Sequence, residues 1–163
     1  GSFQHLSAEF FKLTAGVDIL HIPFKGGGPA MIDVLGGHTM VMFSSLVQTT
    51  PNIKNGKLRA LGVGGTVRSK ILPDLPTIAE AGVPGYASEN WWGIVAPVGT
   101  PAPIVAKLHE ALSKAQDNPE VQKYFDNEGA TIARMNSDEF GKFMVSEMNK
   151  WERVVKEAQI KAQ

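Results

Sequence analysis

Apolar positions recur at helical spacing near the start of the chain and throughout its last third. Leu6, Phe10 and Leu13 share one face of a helix predicted over residues 2–13, with Ser2 as its N-cap and Gly16 as its stop. The same criteria predict three further helices: one from Pro101, capped by Thr100, to about residue 115; one that opens at residues 118–120 and stops at Gly129; and one from Ser137 to about residue 160. The buried stripe predicted for the last helix comprises Phe140, Met144, Met148, Trp151 and Val155.

Uninterrupted apolar and β-branched runs predict strands between these helices. They span residues 17–22, 39–43, 58–63, 86–95 and, as a short strand or extended link, 131–133. Predicted helices at 29–35, 51–56 and 77–81 separate them. The spacing is typical of βαβ units, so we expect a buried, parallel-rich sheet in an α/β fold.

The composition changes near residue 90. The first part is α/β with glycine-rich loops, whereas the second part is mostly helices with apolar stripes. Those stripes need a surface to cover, and this sequence supplies almost no sheet for them.

The loop within residues 21–30, which joins the first predicted strand to the next helix, is the strongest local signal for a binding site. It contains Lys25, three consecutive glycines and Pro29, which falls in the first helical turn. Glycine permits positive φ and a close approach to a ligand, and the unpaired N–H groups of a helix start favour an anion. We therefore expect one wall of an anion-binding cleft here, although a tight turn alone also explains the glycines.

Ligands of parallel sheets bind at the carboxyl ends of the strands. Loop 23–28, the pair Ser44 and Ser45, and loop 64–69 all follow predicted strands, so we expect them to converge.

Composition excludes several classes of function. The chain has 163 residues with 16 basic and 16 acidic side chains, and no basic cluster that would bind nucleic acid. No apolar run reaches the length of roughly 18–20 residues that spans a membrane, and zero cysteines exclude disulfides and thiolate chemistry. The Gly-Ser start without a methionine is expected of a mature protein or a fragment.

No arrangement of residues for catalysis emerges. The glycine loop matches neither phosphate-binding nor dinucleotide-binding spacing, and the four histidines show no metal-ligand spacing. His5 is expected to face the cleft and His21 to be a core histidine. Ser44 and Ser45 lack a nucleophile-elbow frame. Trp91, Trp92 and Trp151 are expected to pack in the core or between domains, with an aromatic platform as the alternative. We predict a binding module without cofactor or metal.

The chain resembles the Bug family, also called TctC, of periplasmic solute receptors of tripartite tricarboxylate transporters. The similarity begins at residues 1–12, where the family has G-[ST]-x-x-H-L-x-x-E-x-F-K. It continues in order through the whole chain, at residues 21–26, 29–30, 33–37, 41–43, 51–61, 72–82, 92–93, 96–102 and 151.

The resemblance implies a two-domain Venus flytrap fold that holds a carboxylate in its cleft. Backbone N–H groups and hydroxyls at two helix starts, one from each domain, are the expected contacts. The ligand-binding residues expected in this chain are Gly1, Ser2, Phe3, His5, Phe24, Lys25, Gly26, Gly27 and Ser44. Ser44 stands where many members have Asp, which leaves a hydroxyl suited to a plain carboxylate.

The resemblance covers only the C-terminal half of the family's length. Residues 1–88 correspond to the second ligand-binding domain, and residues 89–163 to the strand and helices that return to an incomplete first domain. The expected protein is a periplasmic solute-binding protein fragment that captures a di- or tricarboxylate or an aromatic acid. Its expected partners are the membrane subunits of the transporter and the missing half or a second chain. The alternatives are a small enzyme that binds a phosphorylated substrate at Gly26–Pro29, and a non-binding truncated domain that self-associates.

Overall fold

Six helices form the regular secondary structure of residues 1–160, which are the residues that the computed structural model describes. They are α1 (Phe3–Ala15), α2 (Gly27–Leu35), α3 (Leu46–Lys54), α4 (Ala102–Gln116), α5 (Pro119–Asn127) and α6 (Ser137–Glu157). The chain divides into two compact units. The first unit is Gly1–Glu89 with the segment that begins at Trp151, and the second is Asn90–Lys150. The division into functional domains at residue 88 stays a prediction, and its last three residues lie outside the described part.

Local capping explains where most helices begin. The backbone N–H of His5 donates to Ser2 Oγ at 3.3 Å, and Gly16 ends α1 with φ 65°, as predicted. Asn118 caps α5 by accepting from the backbone N–H of Glu120 at 2.8 Å. The cap predicted for α6 was wrong by one residue. Asn136, rather than Ser137, forms a capping box with Glu139, whose backbone N–H donates to Asn136 Oδ1 at 2.9 Å.

The predictions for two other helices were also wrong. Pro101 rather than Thr100 is the N-cap of α4, and the Thr100 hydroxyl donates instead to the Pro97 carbonyl at 2.8 Å. The helix predicted at residues 77–81 is a single turn, in which Thr77 and Glu80 form a capping box. Gly82 follows with φ 116° and ends the turn before a second one can form.

The third helix begins five residues before its predicted start. α3 runs from Leu46 to Lys54 with Pro51 inside it, whereas the prediction placed this proline at the first position. The hydroxyl of Thr49 donates to the Ser45 carbonyl at 3.0 Å, and that of Thr50 donates to the Leu46 carbonyl at 2.6 Å. Neither hydroxyl donates to the Val47 carbonyl, which is the one that lacks its i+4 helical partner because Pro51 has no N–H.

The predicted parallel sheet does not form among residues 1–160. The five predicted strands are irregular segments there, and the only bridge is an isolated parallel pair between Val63 and Thr77. The apolar runs are also exposed rather than buried, with Leu20 at 82% and Met40 at 89% exposure. A strand needs a neighbour to receive its backbone hydrogen bonds, and these segments do not pair with one another.

An aromatic cluster forms the core of the first unit. Phe10, Tyr86 and Val154 are buried, and the rings of Phe10 and Tyr86 stack with centroids 5.1 Å apart. Trp151 meets Phe10 edge-on at 6.0 Å. The buried stripe predicted for α6 was wrong at one position in this unit. Val154 is buried, whereas Val155, which the prediction named, is only partly buried.

Buried hydrogen bonds connect α1 to residues 86–88 in the core of the first unit. The Tyr86 hydroxyl donates to the Ser7 carbonyl at 3.1 Å. The Ser7 and Ser88 hydroxyls lie 2.6 Å apart, and the Ser7 hydroxyl donates to the Phe3 carbonyl at 2.8 Å. Because Ser7 donates to Phe3, Ser88 must be the donor in the pair, so each hydroxyl is satisfied.

The second unit contains a smaller aromatic group on α6. Trp91 packs edge-on against Phe140 and Phe143, and its indole N–H donates to the Glu147 carboxylate at 3.3 Å. Trp91 thus packs within its unit, as expected, whereas Trp92 is 81% exposed. The predicted α6 stripe fails at Met148, which is 70% exposed.

The apolar face predicted for α4 exists, and it is uncovered. Ile104 and Leu108 are each 51% exposed, and Leu112 is 38% exposed. Within this unit α4 packs against α5, with which it forms a helical pair.

The buried tyrosine makes the first unit sensitive to alkaline pH. Burial raises the pKa of Tyr86 above its usual value of 10.0. The folded state therefore keeps this proton more tightly than the unfolded state does. The stabilisation is complete below pH 10 and is lost as the pH rises through the folded-state pKa.

We expect Tyr86→Phe to flatten the decline of the unfolding free energy above pH 10, and to cost about 1 kcal/mol at neutral pH through the lost hydrogen bond to Ser7. Urea unfolding between pH 7 and pH 11 measures both effects. Tyr124→Phe is the control, because Tyr124 is 64% exposed. An alkaline decline as steep in Tyr86→Phe as in the parent chain would contradict the assignment.

Candidate ligand-binding site

The start of α1 carries four of the expected ligand-binding residues, Gly1, Ser2, Phe3 and His5. The Gly1 amine lies 3.1 Å from His5 Nδ1, and Ser2 Oγ accepts from the His5 backbone. The Phe3 ring packs edge-on against Trp151 at 5.7 Å. Its side chain therefore belongs to the core, and a ligand at this helix start would meet the Phe3 backbone.

The start of α2 has the backbone geometry expected of an anion-binding loop. Gly26 is the N-cap with φ 110° and ψ 174°, a conformation essentially restricted to glycine. No side chain caps this helix, and its first turn contains no acidic residue. The backbone N–H groups of Gly27 and Gly28 thus keep the positive end of the helix dipole. Phe24 and Lys25 precede it in the same exposed loop.

Gln48 joins two of the expected segments. Its Oε1 accepts from the Ser44 hydroxyl at 3.0 Å. The same oxygen would lie 3.1 Å from a Cβ added to Gly27. The first residue of α2 therefore lies close to the Gln48 side chain of α3. The glycine loop and Ser44 therefore come together, as the sequence predicted, and the Ser44 hydroxyl is engaged by Gln48.

Loop 64–69 makes its described contacts elsewhere in the first unit. The Thr66 backbone N–H donates to the Glu89 carboxylate at 3.0 Å, and Arg68 pairs with Glu80 at 2.9 Å. A Cβ on Gly64 would lie 2.6 Å from the Ser88 carbonyl oxygen, so this loop lies tightly against the segment at residues 80–89. The expected convergence of this loop with the other two remains a prediction.

Two histidines meet beside the α1 start. The rings of His5 and His21 lie 3.9 Å apart between centroids, tilted by 60°. His5 Nε2 is 3.9 Å from Glu9 Oε1, and Lys12 Nζ is 3.0 Å from Glu9 Oε2. Burial, followed by the neighbouring His21 and the amino terminus, lowers the pKa of His5 below 6.5. His21 is exposed, so its predicted place in the core was wrong.

A surface depression of about 410 Å³ in the first unit lies apart from these segments. It is lined by Phe10, Leu13, Thr14, Gly85, Arg153 and Glu157. None of the nine expected ligand-binding residues lines it, so the depression does not support that assignment.

Sequence reasoning missed Gln48 and Glu9. Gln48 stands three residues after Ser45, and this is the spacing of a capping box. That spacing predicts Ser45 as the N-cap of α3, which is where the helix begins. Glu9 stands four residues after His5 on a helix, a spacing that puts both side chains on one face.

The chain matches the family described as tripartite tricarboxylate transporter family receptor, TctC, over residues 1–160. It therefore belongs to this receptor family, and the resemblance drawn from the sequence is confirmed. The family is one of receptors rather than enzymes. Within residues 1–160, the structure contains no helix that is both long and apolar enough to cross a membrane.

Individual proteins share both sequence and fold with the chain. Protein BugT of Bordetella pertussis is 35% identical over 157 residues, which cover 96% of this chain and 48% of BugT. The R. palustris protein Rpa4515, solved with adipate, superposes with a TM-score of 0.81 at 34% identity, over 98% of this chain and 54% of that one. MatC from Rhodopseudomonas palustris, solved with bound malate, superposes with a TM-score of 0.76 at 34% identity. The superposition covers 94% of this chain and 53% of MatC. The chain thus spans about half the length of these proteins and shares part of a periplasmic-binding-protein fold.

Substitution of Gly26 tests whether the backbone conformation of the loop before α2 requires glycine. We expect Gly26→Ala to lower the unfolding free energy by about 1–3 kcal/mol, because alanine does not tolerate the Gly26 conformation. Urea unfolding followed by circular dichroism measures the change.

Gly28→Ala is the matched control, since Gly28 lies in the helix with open space around its Cβ position. It is expected to be neutral or to stabilise by up to about 1 kcal/mol. Equal stability of the two variants would show that the loop does not require the glycine-only conformation.

Proposed function

We propose that the chain is the part of a periplasmic solute-binding protein that supplies one wall of a carboxylate site. The observation that carries this proposal is the start of α2. There the Gly26 backbone, the uncapped N–H groups and the Lys25 ammonium lie in one exposed loop. The family match and the neighbours solved with adipate and malate support a carboxylate as the ligand class.

Electrostatics in the first unit support the same ligand class. The first turns of α1, α2 and α3 all lack acidic residues. In the second unit α4 lacks acidic residues there as well, whereas α5 carries Glu120 and α6 carries Asp138 and Glu139. Acidic side chains would neutralise the positive end of a helix, so the first unit leaves its helix starts available to an external anion.

The expected contacts fall into two groups. The Gly1 amine and the backbone N–H groups of Ser2 and Phe3 at α1, together with those of Gly26 and Gly27 at α2, would bind carboxylate oxygens. Lys25 would add a charge-assisted hydrogen bond. Ser44 and His5 would border the ligand rather than bind it strongly, because each is already engaged, by Gln48 and by the Gly1 amine.

The remaining wall would come from outside the sequence described here. The relatives are about twice as long, and the family resemblance implies a two-domain cleft, of which this chain would supply one side. We propose that the complete receptor closes around its ligand by a hinge motion in the periplasm and delivers it to the membrane subunits of the transporter.

Thermal-shift and calorimetric titrations with adipate, malate, citrate and benzoate test this function, on the chain itself and on the full product of its gene. We expect stabilisation of the full product by at least one of the acids. The absence of stabilisation by every acid, with inorganic phosphate bound instead, would favour the enzyme with a phosphorylated substrate.

Lys25→Ala is expected to weaken carboxylate binding by about ten-fold, which corresponds to the loss of one charge-assisted hydrogen bond. Lys57→Ala removes the same charge from another exposed position of the first unit and serves as control. If both variants bind equally well, Lys25 does not contact the ligand.

Self-association is the second candidate, favoured by the exposed apolar face of α4 that Ile104, Leu108 and Leu112 form. Light scattering of the chain across a concentration series distinguishes it. A monomer at all concentrations argues against it, and a dimer that Leu108→Gln disrupts supports it.

A further inference from the structure

A cluster of three potential metal ligands lies on the first unit. His5, Glu9 and His21 each offer one ligand atom, and these atoms lie within 4.8 Å of one another. The first two come from successive turns of α1, and the third comes from the irregular segment that precedes α2. We propose that these three side chains form a binding site for a divalent transition-metal ion such as Zn²⁺.

The ligand set suits such an ion. Imidazole nitrogen and carboxylate oxygen are common Zn²⁺ ligands, at about 2.0–2.2 Å from the metal. In a tetrahedral site, ligand atoms at those distances lie about 3.3 Å from one another. The three side chains therefore need to converge by roughly 1.5 Å or less, which side-chain rotations can supply. Water would complete the coordination, since three protein ligands leave a fourth position open.

The Nε2 atom of His5 faces the carboxylate of the cluster. This Nε2 lies 3.9 Å from Glu9 Oε1, and the Nδ1 of the same ring accepts from the Gly1 amine at 3.1 Å. Binding of an ion at Nε2 therefore requires the ring proton to move to Nδ1 and the Gly1 amine to leave that nitrogen. His21 is exposed, so an ion can reach the cluster from solvent.

Lys12 competes for the carboxylate. Its ammonium contacts both oxygens of Glu9, at 3.1 Å to Oε1 and 3.0 Å to Oε2. Glu9 itself is only 8% exposed, so its charge is satisfied either by Lys12 or by a bound ion. Metal binding would require Lys12 to release Oε1.

Titration of the tag-free chain with ZnCl₂ by calorimetry tests the site. We expect one ion per chain, and a loss of at least ten-fold in affinity for His21→Ala, because even loss of a second-shell partner costs a metal site that much. His38→Ala and His109→Ala are matched controls, since both histidines are exposed and lie outside the cluster. No binding by the parent chain, or the same loss in all three variants, would overturn the proposal.

A second variant separates coordination from general electrostatics. Lys12→Ala should tighten Zn²⁺ binding several-fold, because it removes a cation that competes for Glu9. Co²⁺ titration should give the visible absorption of a four-coordinate site in the parent chain and in Lys12→Ala, and not in His21→Ala. An unchanged Co²⁺ spectrum in His21→Ala would refute the assignment of that ligand.

These measurements are independent of the proposed carboxylate function. They use no organic acid, and His21 is not among the expected carboxylate-binding residues. Carboxylate binding can therefore fail while the metal site stands, or the reverse.

Discussion

The stack of Phe10 on Tyr86 is the contact on which the first unit depends. Only Phe10, Tyr86 and Val154 are buried apolar residues among residues 1–160, so few side chains supply the hydrophobic stabilisation. Truncation of a buried aromatic residue typically costs about 3–5 kcal/mol, a large part of the stability of a small domain. The Tyr86 hydroxyl also donates to the Ser7 carbonyl and so ties the middle of α1 to this core. The start of α1, with its helix dipole and His5, is positioned by this core.

The small core has a counterpart in the exposed apolar runs. Leu20, Met40 and Leu61 occupy segments whose composition is typical of buried strands, yet they are 82%, 89% and 61% exposed. Exposed apolar surface of this extent is characteristic of an interface. The protein solved with adipate is about twice as long and superposes over 98% of this chain with a TM-score of 0.81. The exposure is consistent with our proposal that a further part of the receptor covers them.

The two candidate sites differ in the charge that they attract, although both involve the start of α1. At α2, uncapped backbone N–H groups, Lys25 and the absence of acidic residues from the first turn favour an anion. Beside α1, the Glu9 carboxylate and two imidazoles favour a cation. His5 belongs to both neighbourhoods, so occupancy of one site would alter the electrostatic potential at the other.

Local chemistry determined much of this protein directly. The Ser2 and Asn118 caps, the Gly16 stop, the helix face of Phe10 and the glycine loop follow from interactions within a few residues, and sequence reasoning found them. The receptor family was also identified from the sequence alone, and the family match confirmed it. Tertiary structure alone decided what depends on distant partners: the irregular course of the predicted strands, the contact between Gln48 and the glycine loop, and the approach of His21 to His5. A strand requires a neighbour for its hydrogen bonds, and His21 reaches His5 from a separate segment, so neither contact can be read from the spacing within one segment.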